Sequence, residues 1–570
     1  MTSSPSLGTH HDRSDREPLQ QSQYFPAREP GGKVPYVGDS SNLNYLIQQF
    51  GNPFEGTSDA PPLQDRLQGA MLARMGSSTA QEIERFHAST KENLVNQGAF
   101  DLPSQETSKA LLDAYFNYSL AALPILDKSR FLVSLTDGTF SHLLLNAVYI
   151  AATTYCADSV IADGGFASRY SASLTFYRRA KLLYDAGYET DAIKMIQATF
   201  LMCHWWSGLL EHKDPWYWLG ISAGIAQALG MNQAKSYLHL EEKDRKIWRR
   251  LWWMVYAMDI NLSMLLDRPP HVQGRLCNVD TLSETDFEGL DENIESEKVG
   301  QTLSEANMFA VNAVQLARTV DRYFTIKLDQ GTGHSQDICL EQISLWWSSL
   351  SPTFRSLSTK SSTWAVLTEI LYQEYRLLLH RSNPRFSQNI GSDTPTFEIC
   401  TAISHLLEII MTNDLVYAAA ASIIAPVLSV LSIYIANIHR GDSGIRLISE
   451  HRAHFCMAIL DKLQDRLPVV GAFFPIYEAL LSRKRGRDSS KDLPTGSPIL
   501  HSRPQAETRS SLANLGPAGG LFDQILQDNT NASFSFSLPF GSLFEDIFMG
   551  SPSQPTSFNE DETSCSYKYP

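Results

Sequence analysis

Between residues 106 and 481, apolar positions recur three and four apart over long stretches separated by short polar breaks. That spacing marks amphipathic α-helices. It predicts helices over 108–120, 141–156, 171–187, 191–210, 216–230, 243–266, 303–328, 337–350, 363–381, 396–411 and 446–466. Val and Ile runs of period two are scarce, and neither a βαβ alternation nor a fixed-period repeat stands out. The pattern therefore predicts an all-α fold: one large helical domain over 106–481, interrupted by a looser acidic insert at 281–302. Residues 415–438, LVYAAAASIIAPVLSVLSIYIANI, carry no charge and are long enough to span a bilayer. The run is rich in Ala and Ser, contains Pro426 and ends at His439-Arg440, so a buried helix or helix pair is expected rather than a membrane span.

The periodicity fades at both ends. Residues 1–105 are rich in Ser, Gly, Pro, Gln and charge and read as mostly disordered linker, with one ordered-looking patch from Tyr36 to Leu46. From 482 to 570 a short basic run leads into a Ser-, Phe-, Asn- and Pro-rich tail of disordered character.

Composition narrows the class. Of 570 residues 43% are hydrophobic and 19% charged, which supports a large core. There are 47 Lys plus Arg against 62 Asp plus Glu, a net charge of −15. An acidic chain is poorly suited to coating nucleic acid over its whole surface, so DNA contact would need a local basic patch or a separate module. Cys156, Cys203, Cys277, Cys339, Cys400, Cys456 and Cys565 lie far apart with no CxxC, so no zinc cluster or dithiol site is readable. Scattered thiols suit the cytosol or nucleus. The N-terminal stretch has no apolar run, so no secretory signal is expected. His10, His11, His142, His204 and His380 are isolated, and HExxH, P-loop and GxGxxG motifs are absent from the sequence. The expectation is a non-enzyme without catalytic, cofactor-binding or metal-ligating residues.

One stretch stands apart. Residues 249–270 read RRLWWMVYAMDINLSMLLDRPP. On a helix, Trp248, Leu251, Trp252, Val255, Leu262 and Leu266 share a face, while Trp253, Met254, Ala257, Ile260 and Met264 cover much of the rest. A helix apolar on all sides is a central one. Asp259 is then a buried carboxylate that needs a donor. Arg268 is the first candidate, because Pro269 and Pro270 end the helix and let the chain turn back; Arg249 and Arg250 are alternatives. A structural ion pair is the favoured reading over a ligand pocket. Arg245, Lys246, Arg249 and Arg250 form a basic strip, read as a solvated helix end before a phosphate contact.

With those residues in view, Arg250-Leu251-Trp252-Trp253, then Tyr256, Asp259 and Arg268-Pro269, resembles the signature of the fungal-specific transcription factor domain, the middle homology region of fungal zinc-cluster regulators. Tyr115-Phe116 with Pro124-Ile125-Leu126-Asp127 and Phe131, then Tyr177-Arg178-Arg179-Ala180, Gln197-Ala198, Trp205-Trp206 and Gly220 through Gly230-Met231-Asn232 resemble its earlier motifs. Trp346-Trp347 and Leu379-His380-Arg381 resemble its later helices, and Tyr36 to Leu46 the patch between DNA-binding module and regulatory domain. The resemblance covers about 35–440 and is most specific at 250–269.

It implies a nuclear, pathway-specific activator of RNA polymerase II transcription, serving a secondary-metabolite or catabolic gene set. Such regulators usually begin with six cysteines, spaced Cys-x2-Cys-x6-Cys, that hold two zinc ions and place a helix in the major groove. This sequence has no cysteine before Cys156. The resemblance therefore implies DNA contact through a missing zinc cluster or a partner, with zinc expected only in such a cluster. A helical scaffold or small-molecule binder without transcriptional role is the alternative.

The tail adds two candidates. Arg483, Lys484, Arg485 and Arg487 form a short basic run of nuclear-import type. In PFGSLFEDIFMG, residues 539–550, Phe540, Leu543, Phe544, Ile547 and Phe548 fall on one helical face, with Glu545 and Asp546 off it. That is an acidic-aromatic activation segment, suited to laying its apolar face into a groove of a coactivator or mediator-type protein. Homodimerisation stays open, and no membrane partner is expected.

Overall fold

The computed structural model describes residues 77–206, 212–288, 297–330, 332–355, 362–382, 394–440 and 443–482, all in helices, turns and short connections with no strand among the described residues. The helices are α1 (Ser77–Asn96), α2 (Gln105–Ala114), α3 (Lys128–Thr136), α4 (His142–Thr153), α5 (Asp158–Asp163), α6 (Arg169–Asp185), α7 (Ala192–Met202) and α8 (Pro215–Ala228). They continue with α9 (Glu242–Leu266), α10 (Glu297–Gln330), α11 (Thr332–Ser349), α12 (Thr363–Arg381), α13 (Thr394–Thr412), α14 (Ala420–Arg440), α15 (Ser443–Leu463) and α16 (Pro468–Ser482). Side-chain oxygens start many of them: Asp127, Ser141, Ser168, Asp191 and Asp214 each accept a backbone N–H from the first turn.

Two hydrophobic cores form. The first gathers the buried faces of α2 to α11 around Trp252, Trp253, Trp205, Trp218 and Tyr149. The second gathers α13 to α16 around Ile403, Leu407, Val427, Leu431, Tyr434, Ile459 and Leu460. Helix α12 is the wall between them. Its Tyr372, Tyr375, Leu378 and Leu379 belong to the first core and its Val366, Leu367, Ile370 and Leu377 to the second. A helix apolar on both sides requires that sandwiched position.

Residues 420–438 of the apolar run 415–438 lie in helix α14, and the residues before them form the turn that leads into it. Ala420–His439 is long and apolar enough to cross a membrane, yet 78% of its most apolar 18-residue window is buried inside the fold. Its hydroxyls are tied inward: Tyr434 donates to the Cys400 carbonyl at 2.8 Å and Ser432 meets Tyr477 Oη at 2.9 Å.

Several boundaries differ from expectation. Helix α1 lies inside the stretch read as linker, and its end packs home through Leu94 and Ala99. Its sequence, SSTAQEIERFHASTKENLVN, is too polar for periodicity to reveal it. The expected 108–120 helix contains a π-helical turn at Tyr115–Ser119, with Tyr115 fully buried. The expected 191–210 helix ends at Met202; the chain then turns so that Trp205 buries against Tyr177, ring centroids 5.1 Å apart. The acidic insert is not uniformly loose: Leu282, Asp286 and Phe287 are buried, and α10 begins at Glu297. Residues 289–296, 1–76 and 483–570 lie outside the described residues, and with them most of the expected linker and the whole expected tail.

Candidate functional site

Helix α9 carries the signature. Trp248, Leu251, Trp252, Trp253, Val255, Tyr256 and Ile260 are all buried, as are Arg250 and Asp259. Glu242 and Asp244 in the first turn oppose the positive end of the helix dipole. At the other end Asp267 adopts a left-handed conformation with φ 49°, and the Arg268 N–H closes on the Ser263 carbonyl at 3.0 Å. Pro269 and Pro270 cannot continue the helix.

From there the chain runs back along its own helix and is tied to it step by step. Asp259 accepts from His271 Nδ1 at 2.7 Å and from the Val272 N–H at 2.9 Å. Next, Gly274 lies against the Tyr256 hydroxyl and donates its N–H to Asp321 of α10 at 3.2 Å. The Trp253 indole donates to the Asp280 carbonyl at 2.8 Å. Arg250 donates to the Asp286 carbonyl at 2.6 Å, and Arg249 pairs with the buried Asp286 carboxylate at 3.0 Å. Lys246 reaches Glu288 at 3.4 Å. Residues 246, 249, 250, 253, 256 and 259 are thus matched in reverse order by 288, 286, 280, 274 and 271–272, an antiparallel strap one side chain wide.

The expected partner of Asp259 is corrected by this geometry. Among the described residues no arginine meets it. Arg268 instead pairs with Asp214 at 2.6 Å and lies over the Trp216 ring at 5.1 Å. Arg249 and Arg250 go to Asp286. The left-handed Asp267 directs Arg268 toward the start of α8, and the two prolines bring His271 round to Asp259. Asp214 works twice: Oδ1 caps α8 at the Tyr217 N–H, 2.8 Å away, while Oδ2 takes Arg268. The basic strip is also not a solvated end. Arg245 donates to the Tyr237 and Leu240 carbonyls at 3.2 and 2.9 Å, and its neighbours are engaged as above.

The contacts are tight. A Cβ on Gly220 would stand 2.5 Å from His271 Nε2, so only glycine lets α8 pass beside that ring. A Cβ on Gly274 would stand 2.6 Å from the Tyr256 hydroxyl. Burial, opposed by hydrogen bonds from Tyr256 and Gly274, leaves the Asp321 carboxyl above its usual range. Both oxygens of Asp259 are occupied, and Asp286 receives Arg249 on Oδ1 and the Ser283 N–H on Oδ2 at 2.9 Å. A site whose carboxylates are paired from within is a clamp that holds helices in register. Among the described residues no group of three His, Cys, Asp or Glu is placed to hold a metal.

The structure therefore brings Arg250, Trp253, Tyr256 and Asp259 into one clamp with His271, Gly274, Asp280 and Asp286, buries Trp252 within the core, and turns Arg268, just before Pro269, to Asp214. His271 had a sequence signal, since it directly follows the two prolines that turn the chain. Asp214, Asp286 and Asp321 had none. The import candidates Arg483, Lys484, Arg485 and Arg487 and the activation candidates Phe540, Leu543, Phe544, Ile547 and Phe548 lie outside the described residues.

The fold and its clamp define an all-α domain organised on a central buried helix. Residues 112–363, which contain that helix and its strap, match the family described as fungal specific transcription factor domain. It is 25% identical over 473 residues to cutinase transcription factor 1 alpha of Fusarium vanettenii, covering 80% of this chain and 50% of that protein. It is 25% identical over 346 residues to the acetamidase regulatory protein of Aspergillus oryzae, covering 58% of this chain and 43% of that one. A fusaric acid cluster transcription factor of Gibberella moniliformis is 23% identical over 418 residues, covering 69% and 61%. The chain thus spans about half the length of cutinase transcription factor 1 alpha. No solved structure matches it.

Proposed function

We propose that this chain is a pathway-specific transcription regulator acting in the nucleus, with the helical region as its regulatory domain and the C-terminal tail as its activating part. The observation that carries the reading is the family match over 112–363, laid on the signature clamp. Relatives named as a cutinase transcription factor, an acetamidase regulator and a fusaric acid cluster transcription factor support a catabolic or secondary-metabolite gene set. Those names are of regulators rather than enzymes. DNA is reached through a zinc cluster outside this sequence or through a partner that binds DNA. The basic run at Arg483–Arg487 serves import. The apolar set Phe540, Leu543, Phe544, Ile547 and Phe548 in 539–550 serves to engage a coactivator groove.

A reporter assay tests the reading. Residues 1–570, 77–482 and 515–560 are each fused to an unrelated DNA-binding domain. Activation is expected from 515–560, lost when Phe544 and Phe548 become Ala and largely kept when Ser542 does. Silence from both the full chain and the tail, in cells where a known acidic activator works, overturns it.

A further inference from the structure

The two cores meet at a seam, and at one place the seam opens. Between α5, the start of α6 and the turn joining α15 to α16 lies a cleft of about 560 Å³. That volume falls in the range of small-molecule sites, roughly 300–1,000 Å³. Ile161, Phe166 and Pro468 give it an apolar wall, and Arg169 and Arg466 stand within it.

The two guanidinium groups converge on one stretch of backbone. Buried Arg169 donates to the Thr153 carbonyl and lies 3.1 Å from the Cys156 sulfur. Arg466 comes from the second core and donates through Nη1 to the Thr154 and Cys156 carbonyls, both at 3.1 Å. Its flat face rests on Tyr417, 4.1 Å from the ring centroid. Arg169 is neutralised by Asp158, which reaches it from the solvent side. Among the described residues no carboxylate stands within ion-pair distance of Arg466, and no acceptor meets its Nε or Nη2. Burial first, and the neighbouring Arg169 charge second, hold Arg466 below the usual arginine range. Two like charges sit beside an apolar wall, and the one nearby carboxylate acting on both, Asp158, is in direct contact only with Arg169.

We propose that this cleft binds a small organic monocarboxylate with an apolar body, its carboxylate on the open Nε–Nη2 edge of Arg466 and its body against Ile161, Phe166 and Pro468. One guanidinium edge offers two parallel donors, which a planar carboxylate accepts together. Asp158 and Asp465 line the cleft as well, and their charge disfavours a phosphate dianion. The occupant would touch α5 and α6 of the first core and the α15–α16 turn of the second. It would therefore stiffen the seam between them, which is how a ligand couples to a domain's conformation. This goes beyond the transcriptional reading, and its test does not use transcription.

The purified full chain is titrated calorimetrically and by thermal melt with butyrate, octanoate, benzoate and 3-phenylpropionate, each beside its uncharged primary amide, and with inorganic phosphate, up to about 10 mM. At least one carboxylate is expected to bind and raise Tm while its amide does not. Arg466→Gln should weaken that binding roughly tenfold or more. Because Arg466 also ties the seam, Ala167→Trp is the companion variant: it fills the cleft from an exposed position and leaves the bonds of Arg466 to Thr154 and Cys156 in place. It should abolish binding without lowering Tm in the absence of ligand. Failure of every carboxylate to bind, equal binding of the amides, preference for phosphate, or binding indifferent to Ala167→Trp each overturns the proposal.

Discussion

Asp259 and His271 meet at 2.7 Å across the turn that ends the signature helix, with the carboxylate wholly buried and the ring half shielded by Trp216, whose centroid is 3.9 Å away. The pair fastens the returning chain to α9 at the point where two prolines have just reversed it. The second oxygen of Asp259 holds the Val272 N–H, so a single carboxylate fixes both a side chain and the backbone beside it.

Asp259→Ala strands both donors in a dry site. The expected loss is about 3–5 kcal/mol, the usual cost of breaking a buried polar pair from one side. Asp259→Asn retains one acceptor oxygen and should lose less. Urea denaturation of the full chain and each variant measures the difference. An unchanged midpoint for Asp259→Ala would mean that the strap is held elsewhere.

Gly220 and His271 should behave as a coupled pair. Gly220→Ala places a methyl group 2.5 Å from His271 Nε2 and should cost about 1–3 kcal/mol by overpacking. With His271→Ala already present the space is free, and the same substitution should cost far less. Additive costs in the double-mutant cycle would show that the crowding is relieved by some other movement.

Asp214 separates a helix cap from an ion pair. Asp214→Ala removes both and should cost about 1–2 kcal/mol, most of it the cap on α8. Asp214→Asn keeps the cap to Tyr217 and loses only the pairing with the partly exposed Arg268, a contribution of roughly 0.2–1 kcal/mol that solvent screens. The gap between the variants should narrow as salt is raised if the pair adds anything, and thermal melts at low and high salt follow it.

Glu374 should make stability depend on pH. It is buried on α12 between the two cores, and burial, only partly offset by Arg381, pushes its carboxyl from 4.5 up to about 8. Between those values the folded protein keeps a proton that the unfolded chain has released. Stability is therefore fullest below pH 4.5 as far as this group is concerned, falls as pH rises through the window and levels off above about 8. Glu374→Gln is neutral throughout. Relative to wild type it should gain stability steadily from pH 5 to pH 8, as read from denaturation midpoints. A constant difference across that range would mean that Glu374 is ionised in the fold.

The helices that bury a continuous face are legible in the sequence. Expected 363–381 and observed Thr363–Arg381 coincide, and 243–266 differs from Glu242–Leu266 by one residue. Local spacing alone decides which side of a helix is apolar, so these helices follow from the sequence. Short helices such as α3 and α5 offer too few turns for a period to emerge, and polar α1 has too few apolar residues.

The burial of Asp259, and its need of a donor, also followed from the sequence, because a lone carboxylate on a helix apolar all round has nowhere wet to point. Which donor answers it did not follow. Arg268 is nearer in sequence than His271, but a left-handed residue at Asp267 and two prolines rotate it toward Asp214, a residue more than fifty positions earlier that lies beside α9 only because α8 packs there. The strap from Asp286 to Arg249, and the meeting of Arg169 with Arg466 at the seam, likewise join distant parts of the chain. Helix formation depends on neighbours within a few residues, so the sequence by itself determines it. Pairing across a fold depends on how whole helices dock, and only the tertiary structure decides that.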